Sequence, residues 1–345
     1  MTATARIAPL GATSNTTVED EYRALREGAA LVDRSSTGRL LYAGADALDL
    51  LHRLSTNDLL PLEVGEGAAT VLTSPKGRIV DLLLVARGPD DLLVLTSPGT
   101  SQTVLDHVEF YTFGEDVKAS DTSEETAILS VVGPRAGDVL AALRGSVEVE
   151  LPLYGSTVVD VDGVSVRIVR TDFVGLPAFD FVVAVDDVGR LRDALLAAGS
   201  SVGLVPAGDD ALESVRIEQG VPAYGSELGE TYNPHEAGLV DHVSFTKGCY
   251  TGQEVVVRLA TYDKIQKHLV GVRWDSSAEV ATGAKLVLDG APVGIVTSST
   301  SAVDGPGGVA LAYVKTAHAN EGFELTAEVD GSAIDVSIYR SPLTP

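Results

Sequence analysis

The residues best suited to chemistry lie in one eight-residue stretch, residues 247–254, with the sequence Lys-Gly-Cys-Tyr-Thr-Gly-Gln-Glu. It contains Cys249, the only cysteine among the 345 residues. A thiol reacts as its thiolate, which a nearby cation or a helix N-terminus stabilises. Lys247 supplies the cation, and Thr251 and Glu254 have the spacing of a capping box that would begin a helix. We therefore expect Cys249 to be an exposed catalytic thiol assisted by Lys247; the alternative is burial as a small apolar side chain.

Composition limits the classes of function. The chain carries 49 acidic and 25 basic residues, a net charge of −24, which would repel a phosphate backbone and argues against direct nucleic-acid binding. A single cysteine forbids an intrachain disulfide and suits a reducing compartment. His235, His242 and Cys249 recur every seven residues, but this spacing matches no metal motif, so we expect no metal site. Met1–Asn15 lacks the apolar core of a signal peptide, and no apolar run could span a bilayer; we expect a cytoplasmic protein without a membrane anchor.

The periodicity of the chain predicts two domains. Residues 17–265 mix paired strand-like runs with helical stripes without regular alternation, which favours an α+β fold. Six short strand-like runs separated by glycine turns follow, and they predict a small antiparallel barrel over residues 266–345. Cys249 therefore precedes a domain boundary expected near Asp263–Gln266, at the end of an irregular segment, Val221–Tyr250.

Two further segments, a turn and the end of a predicted helix, carry charged residues whose positions are unusual. The turn 74–78 places Lys76 and Arg78 in an otherwise acidic protein, either as an anion-attracting loop or as an ordinary solvated turn. The predicted helix 209–220 ends with Arg216 and Glu218. Because the helix dipole disfavours a carboxylate at this end, Glu218 should have another role, with pairing to Arg216 as the simpler explanation.

Several segments together resemble the YgfZ family of folate-binding proteins, which are relatives of the aminomethyltransferase, or T-protein, of glycine cleavage. The stretch 247–254 resembles that family's Lys-Gly-Cys-Tyr-x-Gly-Gln-Glu signature. Four more segments agree in order along the chain: 44–58, 72–79, 216–222 and 233–239. The resemblance implies a T-protein-like folate-binding ring of mixed strands and helices, followed by a small C-terminal antiparallel β-barrel.

The resemblance also implies a cofactor, tetrahydrofolate or a one-carbon derivative of it. Glu218 matches the position that contacts the pterin in T-proteins, where one carboxylate can accept hydrogen bonds from adjacent ring N–H and amino donors. The anionic glutamate tail of folate could use Lys76, Arg78 or Lys247. The full set of cofactor-binding residues that we predict is Glu218, Arg216, Asp81, Lys76, Arg78, Tyr250 and Gln253.

One departure from the T-protein pattern affects the function. T-proteins carry Gly-Gly-Ile-x-Asp-Asp, whereas residues 77–82 here read Gly-Arg-Ile-Val-Asp-Leu and keep one acid, Asp81. This favours the YgfZ role, in which a folate-dependent accessory protein supports iron–sulfur cluster synthesis or repair in client enzymes, including tRNA-modifying ones. The partners would then be folate and iron–sulfur enzymes or assembly proteins. Two alternatives stay open: a tetrahydrofolate-dependent aminomethyl- or methyltransferase, and a folate-binding module without catalysis.

Overall fold

The structure is a computed structural model, and it describes residues 16–144, 151–262, 264–303, 305–329 and 331–340. Met1–Asn15 and Asp263, on which two of the sequence expectations fall, lie outside the described residues. The helices are α1 (Val18–Glu27), α2 (Ala47–Leu54), α3 (Ser101–Phe110), α4 (Ala136–Arg144), α5 (Val188–Gly199), α6 (Asp209–Gln219) and α7 (Gln253–Thr261).

The strands fall into three groups along the chain. The first six are β1 (Ala30–Asp33), β2 (Gly38–Ala43), β3 (Gly67–Thr73), β4 (Ile79–Arg87), β5 (Leu92–Thr96) and β6 (Lys118–Asp121). The next are β7 (Thr126–Val132), β8 (Ser156–Val161), β9 (Val164–Thr171), β10 (Ala178–Ala184) and β11 (Val205–Pro206). The last are β12 (Lys267–Trp274), β13 (Lys285–Leu288), β14 (Ala291–Ser301), β15 (Gly308–Lys315), β16 (Glu324–Val329) and β17 (Ser332–Arg340).

The described residues form two compact units. The first contains the residues up to Leu72 together with Asp81–Leu212. The second contains Thr73–Val80, which is the turn between β3 and β4 with its flanks, and the residues from Glu213 onward. Lys76 and Arg78 therefore belong to the same unit as the cysteine stretch, whereas Asp81 belongs to the first unit.

The first unit contains two sheets, with strand orders β11-β1-β7-β10-β9-β8 and β3-β4-β5-β2-β6. Alternate residues of a strand face opposite sides of its sheet. Phe181 in β10 accordingly packs in one apolar cluster with Leu191 and Leu195 of α5, whereas its neighbour Val182 packs in another with Leu93 and Leu95 of β5. The six-stranded sheet is thus covered by helices on one face and by the second sheet on the other.

The second unit contains a closed antiparallel barrel with the strand order β12-β15-β14-β13-β16-β17. Val270, Val272 and Trp274 of β12 belong to its interior cluster, as expected for residues two apart in a strand. Leu269, from the opposite face of the same strand, packs outside the barrel with Ile217 of α6. The α+β fold and the antiparallel C-terminal barrel predicted from the sequence are confirmed, and α6 is fixed to the barrel's outer wall.

Among the residues that the structure describes, no helix has the length and apolar character that crossing a membrane requires.

Candidate functional site

Cys249 lies in the loop that precedes α7, and it is exposed, as predicted. Gly248 is also exposed, whereas Lys247 and Tyr250 are buried. The Lys247 side chain is largely buried, and its ammonium nitrogen lies 5.2 Å from the centroid of the Tyr250 ring, a cation–π arrangement. Tyr250 is 6% exposed, its hydroxyl has no hydrogen-bond partner among the described residues, and burial raises its pKa to about 12. The loop thus exposes the Cys249 thiol to solvent, while the buried side chains of Lys247 and Tyr250 anchor it to the rest of the unit.

The capping box predicted at Thr251 is wrong. The N-cap of α7 is Gly252, with φ of +83°, and no side chain caps this helix. Instead, the Gly252 carbonyl accepts the N–H groups of Val255 and Val256 at 3.1 and 3.2 Å. The Thr251 carbonyl accepts a hydrogen bond of 2.5 Å from the Thr73 hydroxyl, so its backbone is held by the β3–β4 turn. A left-handed glycine permits this start, and a local capping pattern could not reveal it.

The β3–β4 turn packs directly against the cysteine loop. A side chain added at Gly252 would place its Cβ 2.5 Å from the Ser74 carbonyl oxygen, and one added at Gly77 would approach Val255 at 3.1 Å. Gln253 lies at the start of α7, with its amide 3.5 Å from the Gly248 carbonyl. The structure therefore brings the exposed Lys76 and the half-exposed Arg78 into the same region as Cys249 and Gln253, as the folate hypothesis requires.

Replacing Gly252 with Ala should lower the free energy of unfolding by about 1–3 kcal/mol, because the residue combines a left-handed backbone with a close approach to Ser74. Gly248→Ala is the matched control. An added Cβ there meets nothing within 4 Å, and its backbone is not left-handed, so the change should stay within about 0.5 kcal/mol. Urea unfolding of both variants measures the difference; equal effects would contradict the described packing.

Arg78 faces a buried carboxylate. Its guanidinium lies 3.5 Å from Glu236 and donates to the Thr231 carbonyl at 3.1 Å. Burial raises the pKa of Glu236 and lowers the pKa of Lys267, whereas the attraction between the two charges acts in the opposite direction on each. Arg78 therefore makes structural contacts, but its side chain is still partly exposed and could bind an anion.

Lys267 covers a pair of stacked tyrosines. The rings of Tyr232 and Tyr313 are parallel to within 10° with centroids 3.9 Å apart, and the Lys267 ammonium lies 4.3 Å from the Tyr232 centroid. The Tyr313 hydroxyl donates to the Glu227 carbonyl at 2.8 Å. This stack ties the irregular segment after α6 to strands β12 and β15 of the barrel.

Arg216 is an internal bridge of the second unit. Its guanidinium has five N–H donors, and each finds an acceptor. Two go to Glu213, and the others go to the Val221 carbonyl, the fully buried Glu227 and Ser298 of β14, at 2.6, 3.1 and 2.9 Å. Glu227 also accepts the Ser298 hydroxyl at 2.7 Å and the Ala223 N–H at 3.0 Å. Arg216 consequently holds Glu227 in place. If Arg216 influences a bound cofactor, it does so by fixing the position of α6 rather than by touching the cofactor.

Glu218 lies two residues further along α6 and is only partly buried. Its backbone carbonyl accepts a hydrogen bond of 3.2 Å from the Tyr339 hydroxyl of β17. The guanidinium of Arg340 lies beside Gly220, 2.6 Å from the point that a Cβ there would occupy. Arg216 forms ion pairs with Glu213 and Glu227, so the helix end holds more than the Arg216–Glu218 pairing considered from the sequence. The end of α6 thus combines a carboxylate with a neighbouring cation of the barrel.

Asp81 is fully buried in the first unit. It accepts hydrogen bonds from the Leu82 N–H, the Ser97 N–H and the Thr100 hydroxyl, at 2.8, 3.0 and 2.6 Å. Thr100 is the N-cap residue of α3, so Asp81 joins β4 to the start of that helix. Burial raises the pKa of its carboxyl, although these hydrogen bonds act in the opposite direction.

A raised pKa in the folded state gives a definite pH dependence. The folded protein binds a proton at Asp81 more tightly than the unfolded chain does, so the stability linked to this group is greatest at low pH. We expect the unfolding free energy of wild type, relative to Asp81→Asn, to fall as the pH rises above about 4. Urea unfolding across the acid range measures this difference, with Asp90→Asn as a control for the loss of one exposed negative charge. A difference that grows with pH would contradict the direction.

Sequence reasoning missed four members of the second unit's network: Glu227, Tyr232, Lys267 and Tyr313. The contacts among these four residues join positions 35 to 86 apart in the chain, so no local period marks them. The available signal was Lys267, a cation at the first position of a predicted strand in an acidic protein.

The histidines and the cysteine that recur every seven residues are all among the described residues. No group of three or more potential ligands occurs among the residues that the structure describes. The His235 ring nitrogen Nε2 lies 2.9 Å from the Val256 carbonyl oxygen, which is an ordinary hydrogen bond within the second unit.

Two family profiles match consecutive parts of the chain. The GCVT N-terminal domain matches residues 9–247, and the glycine cleavage T-protein C-terminal barrel domain matches residues 267–344. The crystal structure of the glycine cleavage system aminomethyltransferase T from Bartonella henselae superposes with a TM-score of 0.86, covering 96% of this chain and 90% of its own, at 24% identity. This similarity confirms the T-protein-like fold.

Relatives of the whole chain carry related names. An aminomethyltransferase of Symbiobacterium thermophilum is 31% identical over 359 residues, which covers 98% of this chain and 94% of the relative. A chloroplastic protein of Arabidopsis thaliana, described by the general term transferase, is 30% identical over 317 residues, 92% of this chain and 72% of the relative. An aminomethyltransferase of Shouchella clausii is 31% identical over 94% of this chain and 89% of its own length. These names support the broader family, and membership in the YgfZ branch stays a prediction.

Proposed function

Because the chain belongs to the glycine cleavage T-protein family, we propose that it binds tetrahydrofolate and acts as a folate-dependent one-carbon transferase of the aminomethyltransferase type. The observation that carries this proposal is the match of both domains of the family over nearly the whole chain. The names of the relatives favour this function over the iron–sulfur accessory role that the cysteine signature suggested.

The residues present suit a folate. The pterin offers adjacent N–H donors, and Glu218 is a partly buried carboxylate at the end of α6, with Arg340 close by. The benzoyl-glutamate portion is aromatic and anionic, and the second unit offers Lys76 and Arg78 on an exposed turn. When bound, tetrahydrofolate would supply reduced nitrogens that carry the one-carbon unit. The chain's own contribution is to orient the pterin through Glu218 and to neutralise the tail.

The single acid at Asp81 bears on the reaction. Its carboxylate already accepts hydrogen bonds from Leu82, Ser97 and Thr100. The T-protein pattern has a second acid where this chain has Leu82. We therefore propose that the proton transfers in this protein differ from those in the T-proteins, because Leu82 cannot give or accept a proton.

A second candidate is the folate-dependent accessory role in iron–sulfur cluster synthesis or repair, with Cys249 as its reactive group. The exposure of this thiol, on a loop in which Lys247 and Tyr250 are buried, favours it. The clients would be iron–sulfur enzymes, including those that modify tRNA, and the negative charge of the chain fits contact with such proteins rather than with RNA.

One pair of assays separates the candidates. Purified protein is incubated with tetrahydrofolate and either a dihydrolipoyl aminomethyl carrier or an N-methyl donor, and formation of the folate one-carbon product is followed. The transferase predicts turnover that Cys249→Ala leaves unchanged. The accessory role predicts no turnover, and loss of client iron–sulfur enzyme activity when Cys249→Ala replaces the wild type in a deletion strain. Folate binding with neither activity would identify the non-catalytic module.

A further inference from the structure

Two phenylalanines project from the first unit. Phe110, the last residue of α3, is 71% exposed, and Phe113, in the following loop, is 86% exposed. Large aromatic side chains seldom stand so far into water without a binding role, because their burial is strongly favourable. We call the segment 110–116 together with Asp46 and Asp49 the aromatic–acidic surface; Asp46 and Asp49 line one shallow depression with Phe113, Gly114 and Glu115.

The loop that carries Phe113 is firmly held. The Glu115 carboxylate accepts the N–H groups of Phe113 and Gly114 at 2.8 and 3.0 Å, and Arg53 of α2 binds the same carboxylate at 2.9 Å. The Asp116 N–H donates to the Asp46 side chain at 2.8 Å. Such bonds fix the backbone before any partner arrives, which reduces the ordering cost of binding.

The charge around the two rings has one sign. From Ser101 to Val117 the chain has no Lys or Arg, whereas Asp106, Glu109, Glu115 and Asp116 lie within it. Asp46 and Asp49 add two more carboxylates across the depression. A neighbouring cation, Arg53, is shared between Asp49 and Glu115, and exposed Lys118 follows the segment directly. A second copy of this chain, with its net charge of −24, would be repelled.

We propose that the aromatic–acidic surface binds a basic segment of another protein that presents an aliphatic side chain to Phe110 and Phe113. The rings provide the apolar contact, and the carboxylates of Asp46, Asp49, Glu115 and Asp116 select lysine or arginine on either side of it. This surface is separate in the sequence from every residue assigned to folate, so the proposal does not depend on the reaction that the chain performs.

The test uses a fluorescein-labelled peptide of repeated Lys-Lys-Leu as the probe, with a peptide of equal charge in which Ser replaces each Leu. Fluorescence anisotropy with the full chain should show saturable binding of the Leu peptide that weakens as salt is raised. Phe113→Ser should weaken this binding by about tenfold or more and leave the Ser peptide unaffected. Val64→Ser, another exposed loop position in the first unit, is the matched control and should change neither.

Three results would overturn the proposal: no binding of the Leu peptide, equal binding of both peptides, or a Phe113→Ser variant that binds like wild type. Thermal unfolding of Phe113→Ser should match wild type, since the ring is exposed. Phe110→Ser provides a second variant if that control fails. Sedimentation velocity adds an independent check, because self-association abolished by Phe113→Ser would make a second copy the occupant and would contradict a basic partner.

Discussion

Replacing Glu227 with Ala is expected to lower the free energy of unfolding by about 3–5 kcal/mol, the largest effect of any single change considered for this protein. Glu227 is fully buried, and Arg216 beside it is only 7% exposed. Without the carboxylate, the guanidinium keeps its charge inside the second unit, and the Ser298 hydroxyl and the Ala223 N–H each lose an acceptor. Urea denaturation, with thermal unfolding as a second readout, measures the change.

Two controls separate an orphaned charge from lost packing. Glu213→Ala removes the other carboxylate on Arg216, but Glu213 is half exposed, so the cost should be about 0–1 kcal/mol. The double variant Arg216→Met/Glu227→Leu removes both charges, and it should recover most of the stability lost in Glu227→Ala. If the double variant were as unstable as Glu227→Ala, packing rather than charge pairing would hold this part of the structure.

Replacing Glu218 with Ala is expected to weaken tetrahydrofolate binding by about 100-fold, or roughly 3 kcal/mol, because a carboxylate accepting two pterin donors makes charge-assisted hydrogen bonds. The hydrogen bond from Tyr339 to the Glu218 carbonyl does not involve the side chain and is kept in the variant. Calorimetric titration of the variant measures the loss.

Glu230→Ala, at an exposed position in the loop after α6, is the matched control for removing one carboxylate and should bind as wild type does. Glu218→Gln should fall between wild type and Glu218→Ala, since an amide retains one acceptor. Unchanged affinity in Glu218→Ala, with wild type binding well, would remove this residue from the cofactor site while leaving the folate assignment standing.

Much of the fold could be predicted because its local signals are strong. The glycine turns of the C-terminal half delimit the barrel strands, and Thr17 and Asp20, which have the local spacing of a capping box, form one at the start of α1. Three strands escaped prediction: β1, β6 and β11. They are four, four and two residues long, which is too short to show an alternation of apolar and polar residues. These segments are strands because they pair with neighbouring strands.

The candidate site was only partly predictable for a related reason. Exposure of Cys249 follows from its small, polar neighbours and is confirmed. The start of α7 is set by contact between Gly252 and the β3–β4 turn, which is about 175 positions away in the sequence, so the local Thr251–Glu254 pattern misled. Likewise, no sequence pattern near Arg216 predicts that its guanidinium will donate hydrogen bonds to Glu227 and Ser298.

The most direct test of the folate assignment is calorimetric titration of tetrahydrofolate into the wild-type protein under reducing conditions. The account predicts saturable binding with one site per chain. Absence of binding by wild-type protein that is folded by circular dichroism would contradict the central claim that this T-protein-family chain is a folate protein.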